Sequence, residues 1–446
     1  MYLVELNLQN IRCFKNMKLR FVDDDEKPIM WTVIFGENGT GKSTILRSIV
    51  LLLSSRKRLE DLMKVSNPIR EGTPSGRGTV TIMLDETSKR LEKFLELGWI
   101  FNNTKDRIPN VMEPAGGNDK IFLEGEKDSF FFCAYGETRL PSAKPYRGSQ
   151  WDDSDPENEN VISLFNEGVA LKPVDKGIMN IRHHFLEGNE KYQSAMKALL
   201  NILPSAPPFI EMSQREEALF KTPNGNLAVG QLSSGYRDVV CLLVDIITRL
   251  FEKFPESKDP LKESGIVLID EISLHLHPRW QKVVIGNLRK HLPNIQFIVT
   301  SHSPLVAQSL KENEVVTLKQ SGIGRNRIIE VKRHEFSPKG MSADQLLTSS
   351  IFGLESAKSL EVEALRRKFR KLRKLILKEV ASEKQEEEYQ RVVDELKRVG
   401  EAPGDTDLLR RLNLAFQDAL SDIGDSDLVE RPSLEELKKL ADEMKD

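Results

Sequence analysis

The chain has 446 residues, enough to bury a large core and to carry an appended second domain. A net charge of -3 with 30% charged residues excludes a uniformly basic nucleic-acid binder, so any contact with DNA has to be a local patch. No stretch approaches about eighteen consecutive apolar residues and no basic-then-apolar leader opens the chain, which predicts a cytoplasmic protein without a membrane partner.

Residues Tyr2 to Phe14 alternate apolar and polar, then turn at Asn10-Ile11-Arg12. Met30-Trp31-Thr32-Val33-Ile34-Phe35 is an apolar, β-branched run with the character of a buried strand. It leads into Gly36-Glu37-Asn38-Gly39-Thr40-Gly41-Lys42-Ser43, and Thr44 to Leu53 continue as a helix. This is the G-x-x-x-x-G-K-S string in the strand–loop–helix setting it requires. Its backbone N–H groups close around phosphates, Lys42 reaches the β/γ-phosphates, and the Ser43 hydroxyl binds Mg²⁺. The helix N-terminus from Thr44 adds its positive end. Gly36 to Thr44 are therefore expected to bind ATP, with Mg²⁺ at Ser43.

Residues 54 to about 125 mix strand candidates, such as Thr79 to Leu84, with Gly/Pro-rich turns. Phe130 to Arg139 read as a strand entering a polar turn, and the residues leave open whether Glu137 or Arg139 acts on nucleotide. A Ser/Asp/Glu/Asn-rich loop over 141 to 160 precedes a helical stretch to 203. Ala218 to Val229 read as a hairpin turning at Asn224-Gly225. Cys13, Cys133 and Cys241 lie in apolar segments without paired spacing and read as reduced packing residues.

Leu232-Ser233-Ser234-Gly235-Tyr236 opens a helix running from Val239 to Phe254, which makes it a cap or an anion site. Ile266 to Ile269 suit a central parallel strand, so Asp270 and Glu271 emerge at its carboxyl end, where open α/β sheets bind ligands. There Asp270 can hold Mg²⁺ and Glu271 can polarise an attacking water, although acidic residues also end strands at solvent. Ile295 to Thr300 are a further strand, ending in Ser301-His302-Ser303-Pro304. His302 suits a hydrogen bond to the γ-phosphate or to Glu271, or else a cap on the helix that Pro304 begins. His275-x-His277 lacks a third ligand with sensible spacing and does not read as a metal site.

A phosphate loop, a Ser-Ser-Gly helix start, an Asp-Glu strand end and a histidine strand end, in that order, resemble the ATP-binding-cassette ATPases. The fold implied is α/β, a P-loop NTPase of ABC-ATPase type with a helical insert and a C-terminal helical region. The resemblance implies a homodimer or higher even oligomer in which Ser233, Ser234 and Gly235 touch the γ-phosphate at Lys42 of the partner copy. A Gln-containing loop of that family has no fixed equivalent here. The opening Tyr2 to Phe14 resembles RecF, SMC and overcoming-lysogenization-defect ATPases, implying that Arg12 approaches the nucleotide. Asp270 to Trp280 with Asn294 to Pro304 look closer to the stand-alone AAA ATPases of bacterial anti-phage systems such as Septu and some retrons, where a separate nuclease subunit works beside the ATPase. This likeness covers roughly residues 2 to 53 and 228 to 305, and it places His275 and His277 at the dimer seam.

The gap between phosphate loop and Ser-Ser-Gly segment is under two hundred residues without sustained heptads, which excludes long SMC-type arms. From about 336 the composition changes. Leu365, Phe369, Leu372 and Ile376 fall at helical spacing among eight basic residues from Arg366 to Lys378, and Glu383 to Glu388 precede a second amphipathic stretch at Val392, Val393, Leu396 and Val399. A helical hairpin of complementary charge is the plain reading, and a basic contact with nucleic acid or an acidic partner subunit the sharper one. Nothing after Pro304 resembles a TOPRIM or His-Asn-His nuclease, so cutting would fall to a partner. The expected division is an ATPase core over 1–335, with its insert at about 54–227, and a partner-binding helical region over 336–446. Two functions follow: an ATP-hydrolysing subunit of an anti-phage complex controlling a nuclease or toxin, or a RecF-like repair ATPase acting on DNA.

Overall fold

The computed structural model describes residues 1–84, 93–103, 109–114, 130–139, 160–169, 171–184, 190–202, 209–212, 217–222, 225–322, 327–354, 356–378 and 380–399. Most of the 141–160 loop, Asn224 of the hairpin turn and everything from residue 400 lie outside these. The chain divides into two compact units, Met1–Leu354 and Glu355–Asp446.

In the first unit, β1 (Tyr2–Ile11) and β2 (Phe14–Arg20) pair as an antiparallel hairpin. Its tight turn leaves Asn10 and Arg12 at φ 53° and 46°. β3 (Trp31–Gly36) runs into the phosphate loop, followed by α1 (Lys42–Leu52) and α2 (Arg56–Val65). β4 (Ser75–Met83), β5 (Phe94–Asn103) and β6 (Pro109–Pro114) extend the first hairpin into an antiparallel sheet ordered β2-β1-β4-β5-β6. After β7 (Phe131–Tyr135) come α3 (Val174–His184) and α4 (Glu190–Ile202). β8 (Phe209–Met212), β9 (Ala218–Thr222) and β10 (Gly225–Ala228) then form a small antiparallel sheet. The insert is thus helical through α2, α3 and α4 and also carries strands, because β4 finds its partner in β1, far away in sequence.

α5 (Ser234–Lys253) is the long helix that the Ser-Ser-Gly segment opens, and β11 (Gly265–Ile269) follows it. α6 (Pro278–Gln281), α7 (Val284–His291), β12 (Ile295–Thr300), α8 (Pro304–Ala307), β13 (Val315–Ser321), β14 (Ile328–His334) and α9 (Ala343–Thr348) complete the unit. The core sheet is ordered β14-β13-β3-β12-β11-β7, with every neighbouring pair parallel except β13–β14.

Strands covered on both faces must be apolar throughout, and β11 and β12 are buried at every position. Side chains alternate between the faces. Trp31, Val33, Phe35, Val267, Ile269, Phe297 and Val299 pack into one cluster with α3, α4, α5 and α7. Ile34, Ile266, Leu268, Ile298 and Val316 face the other way and pack with α1 and the antiparallel sheet. One buried polar residue ties the two sheets: Gln296 accepts from the Leu3 N–H at 2.7 Å and donates to the Leu3 and Ile29 carbonyls at 3.1 and 3.2 Å. Spending a whole side-chain amide on backbone groups keeps that seam fully hydrogen-bonded.

In the second unit, α10 (Leu360–Leu377) and α11 (Glu383–Arg398) pack through Leu372, Val392 and Leu396. Phe369 stacks on Tyr389, and Lys368 meets Glu388 at 2.6 Å. This is the hairpin of complementary charge that the apolar spacing predicts, except that Val399 stays exposed.

Candidate nucleotide-binding site

Three parallel neighbours, β3, β12 and β11, place their carboxyl ends side by side, and the site is built there. Gly41, the residue before α1, has φ 102° and no side-chain cap. A Cβ at this position would lie 2.4 Å from Cys13 Sγ and within 3 Å of Phe14, so the β1–β2 turn clamps the loop and only glycine fits. The first-turn N–H groups of α1 thus face the loop mouth without a side chain competing for them. Lys42 Nζ donates to the Gly36 and Glu37 carbonyls at 3.0 and 3.3 Å, and Thr40 Oγ1 donates to Glu37 O at 2.8 Å.

The two other strand ends deliver the acid and the imidazole. His302 Nε2 lies 2.7 Å from Lys42 Nζ and 3.3 Å from Glu271 Oε1. Burial, reinforced by Lys42, holds His302 below the usual imidazole range, so its neutral form accepts from the Lys42 ammonium. Ser303, not His302, caps α8, accepting from the Leu305 and Val306 N–H groups. Burial pushes the Glu271 carboxyl up to about 7, with Asp270 and Glu137 adding to the rise and Lys42 opposing it. Asp270 is fixed from both sides: its N–H donates to Tyr135 O at 2.8 Å, and Thr300 Oγ1 donates to its Oδ1 at 2.5 Å. The Glu271 N–H in turn donates to Thr300 Oγ1 at 2.7 Å. Carboxylate oxygens of Glu137, Asp270 and Glu271 come within 4.8 Å of one another. Hard oxygen donors converging beside a phosphate loop are the donor set for Mg²⁺, so the residues present fit that ion.

The expected site residues separate into two groups. Gly36 to Thr44, Asp270, Glu271 and His302 come together at one sheet edge. Ser233, Ser234 and Gly235 start α5, and among the described residues no hydrogen bond joins them to that cluster. Ser233 stands at the helix cap without a side-chain cap bond, and both serines are exposed. Gly235 is held close: a Cβ there would lie 2.5 Å from His275 O. His275 Nδ1 sits 2.6 Å from Asp238 Oδ2, and His277 accepts from the Arg279 N–H at the start of α6. The two histidines therefore serve the backbone turn and α5 rather than a common cation. Arg12 donates to Ser66 Oγ at 3.2 Å, and its neighbours Cys13 and Phe14 lie against Gly41 of the loop.

Two residues escape sequence reasoning: Thr300 ties the backbone of Glu271 to the carboxylate of Asp270, and Arg327 donates to Gly39 O at 3.0 Å. Of the two residues the sequence leaves open, Glu137 joins the carboxylate cluster and Arg139 donates to the carbonyls of both Asp270 and Glu271. Only a position in the polar turn after β7 marks Arg139 in the sequence, and nothing there tells which groups it reaches.

Parallel strands ending in a phosphate loop, an Asp-Glu pair and a histidine are the architecture of the P-loop NTPases of ABC-ATPase type, and this fold is of that class. A family model described as "AAA domain, putative AbiEii toxin, Type IV TA system" matches residues 31–307, and the chain belongs to that family. The chain is 26% identical over 405 residues to the Septu protein PtuA of Bacillus mycoides strain KBAB4, across 89% of this chain and 50% of that protein, so it spans half the length of this relative. It is 24% identical over 447 residues to the Retron Vc95 probable ATPase of Vibrio cholerae serotype O1 biovar El Tor, across 82% of this chain and 84% of that one. Among solved structures, the SMC head bound to the C-winged helix domain of ScpA aligns with a TM-score of 0.48 at 14% identity, covering 75% of this chain and 98% of that one. The likeness to Septu and retron ATPases expected from the sequence is borne out. No helix among the described residues is long and apolar enough to cross a membrane.

Proposed function

We propose that two copies of this chain bind ATP and Mg²⁺ between the phosphate loop of one and the Ser233-Ser234-Gly235 segment of the other, hydrolyse the nucleotide, and thereby control a separate nuclease or other effector in anti-phage defence. The observation that carries the catalytic part is the convergence of Lys42, Glu271 and His302, with His302 Nε2 at 2.7 Å from the ammonium and 3.3 Å from the carboxylate. Relatives named as a Septu protein and a retron probable ATPase support the setting.

Each group has a defined task in this reading. The loop amides and Lys42 bind and orient the phosphates. Ser43 and Asp270 hold Mg²⁺, which supplies charge neutralisation to the phosphates when bound. Glu271 accepts the proton of the attacking water, and His302 donates to charge developing on the γ-phosphate. The exposed serines of the partner copy complete the phosphate shell, so the triphosphate favours the closed pair and the diphosphate releases it. The region from residue 336 onward, with its α10–α11 hairpin, is the partner-binding part, and the complex works in the cytoplasm.

ATP turnover and nucleotide binding test the site. Lys42→Ala is expected to weaken ATP binding by about 100-fold or more, and Glu271→Gln to keep binding while lowering turnover by at least about 100-fold. Normal turnover in Glu271→Gln contradicts the assignment of the base. Purification with the products of neighbouring genes tests the setting. A co-eluting nuclease supports defence, whereas recombination proteins in its place favour the repair reading.

A further inference from the structure

Arg139 is buried at 3% exposure, yet among the described residues its guanidinium donates only to backbone carbonyls. It follows β7, whose last residue, Tyr135, accepts from the Asp270 N–H, so the turn lies beside the carboxyl end of β11. From there one terminal nitrogen donates to Asp270 O at 2.9 Å and to Glu271 O at 2.8 Å, while Nε finds no partner among the described residues.

A buried guanidinium with an unpaired N–H is an expensive donor to two carbonyls, one of which also accepts from the Leu274 N–H, because desolvating the charge costs more than two charge-assisted bonds return. Burial indeed pulls the Arg139 guanidinium down to about 10, against the opposing pull of Asp238, Asp270, Glu271 and Glu137. The geometry of the residue it holds gives the arrangement a purpose. Glu271 sits at φ 48°, a left-handed backbone that an L-residue with a side chain occupies only when its surroundings over-determine it. Its N–H donates to Thr300 Oγ1, and its carbonyl accepts from Arg139 at 2.8 Å and from the Leu274 N–H at 3.0 Å, so both backbone groups of the strained residue are held.

We infer that Arg139 is a positioning residue for ATP hydrolysis, fixing the backbone of Asp270 and Glu271 so that the Glu271 carboxylate is aimed at the attacking water. The inference rests on the proposed function above and deepens it, since Arg139 acts through the backbone of Asp270 and Glu271. Losing the clamp lets the carboxylate drift, and a misplacement near 1 Å lowers a rate by about 100-fold without touching the binding of the phosphates.

The experiment uses the full chain, with Mg-ATP binding, steady-state turnover and thermal unfolding measured on four variants. Arg139→Met is expected to bind ATP within about threefold of the unsubstituted chain and to lose about 100-fold in kcat. Arg139→Lys, which keeps the charge but not the planar fork, is expected to lose about tenfold in kcat, and it decides the matter if the methionine variant does not fold. Arg139→Met combined with Glu271→Gln is expected to be no slower than Glu271→Gln alone, because the two act as one unit. Folded Arg139 variants with near-normal kcat, or a double variant whose losses multiply, overturn the positioning role alone. An unsubstituted chain without ATP turnover, or a fully active Glu271→Gln, overturns the proposed function and the inference with it.

Discussion

At the scale of single residues, burial pushes the charged groups of the site toward neutrality. Burial raises the Glu271 carboxyl to about 7 and lowers Lys42 from its ordinary range. A carboxyl raised on folding binds its proton more tightly in the native state, so stability falls as pH rises from its unfolded value near 4.5 through about 7. Glu271→Gln removes that burden. In the absence of nucleotide and metal, its unfolding midpoint is expected above that of the unsubstituted chain at pH 8, by the equivalent of about 1–2 kcal/mol after solvent screening, with the difference fading toward pH 5. Thermal melts in chelator at the two pH values check this, and an equal offset at both contradicts it. Lys42, Asp270, Glu271 and His302 were legible in the sequence because each follows directly on a strand-and-loop signal. Thr300 was not and the role of Arg139 stayed open, since they reach backbone atoms and a neighbour's carboxylate that only the folded strand order brings near.

At the scale of elements, two glycines show how loops from different parts of the chain are pinned. Gly41 carries φ 102° beneath Cys13 and Phe14, and Gly235 lies under the carbonyl of His275. Gly41→Ala combines a left-handed backbone with a steric overlap, so it is expected to destabilise the fold by about 1–3 kcal/mol and to abolish measurable ATP binding. Denaturant unfolding and a nucleotide-binding assay read both effects, and an unchanged midpoint with normal binding refutes the clamp. Strands β3, β11 and β12 and helices α1 and α5 could be read from the chain because apolar runs and helical periodicity are local signals. The antiparallel layer was only partly legible: the run near Thr79 announced β4, but its register with β1 and the recruitment of β5 depend on contacts between distant segments. The α10–α11 hairpin was legible but for the exposed Val399, its apolar stripes and opposite charges lying on adjacent amphipathic segments.

At the scale of the whole molecule, no hydrogen bond among the described residues of a single copy joins the exposed serines to the phosphate loop, and in the proposed function the two are halves of a pocket that a second copy completes. Closed pairing of identical chains makes both halves meet twice, once on each side of the two-fold axis. Lys42→Ala damages the half that binds phosphate, and Ser234→Arg damages the half offered to the partner. Neither variant alone can then assemble a sound pocket, but a mixed pair contains one: Lys42 from the serine variant facing Ser234 from the lysine variant. The decisive measurement is ATP turnover by each variant alone and by an equimolar mixture. Each alone is expected to be inactive, and random pairing should restore about a quarter of the unsubstituted rate, since half of the pairs are mixed and each holds one of two pockets. Full turnover by Ser234→Arg alone, or a mixture as inactive as its components, would contradict a pocket shared between two copies.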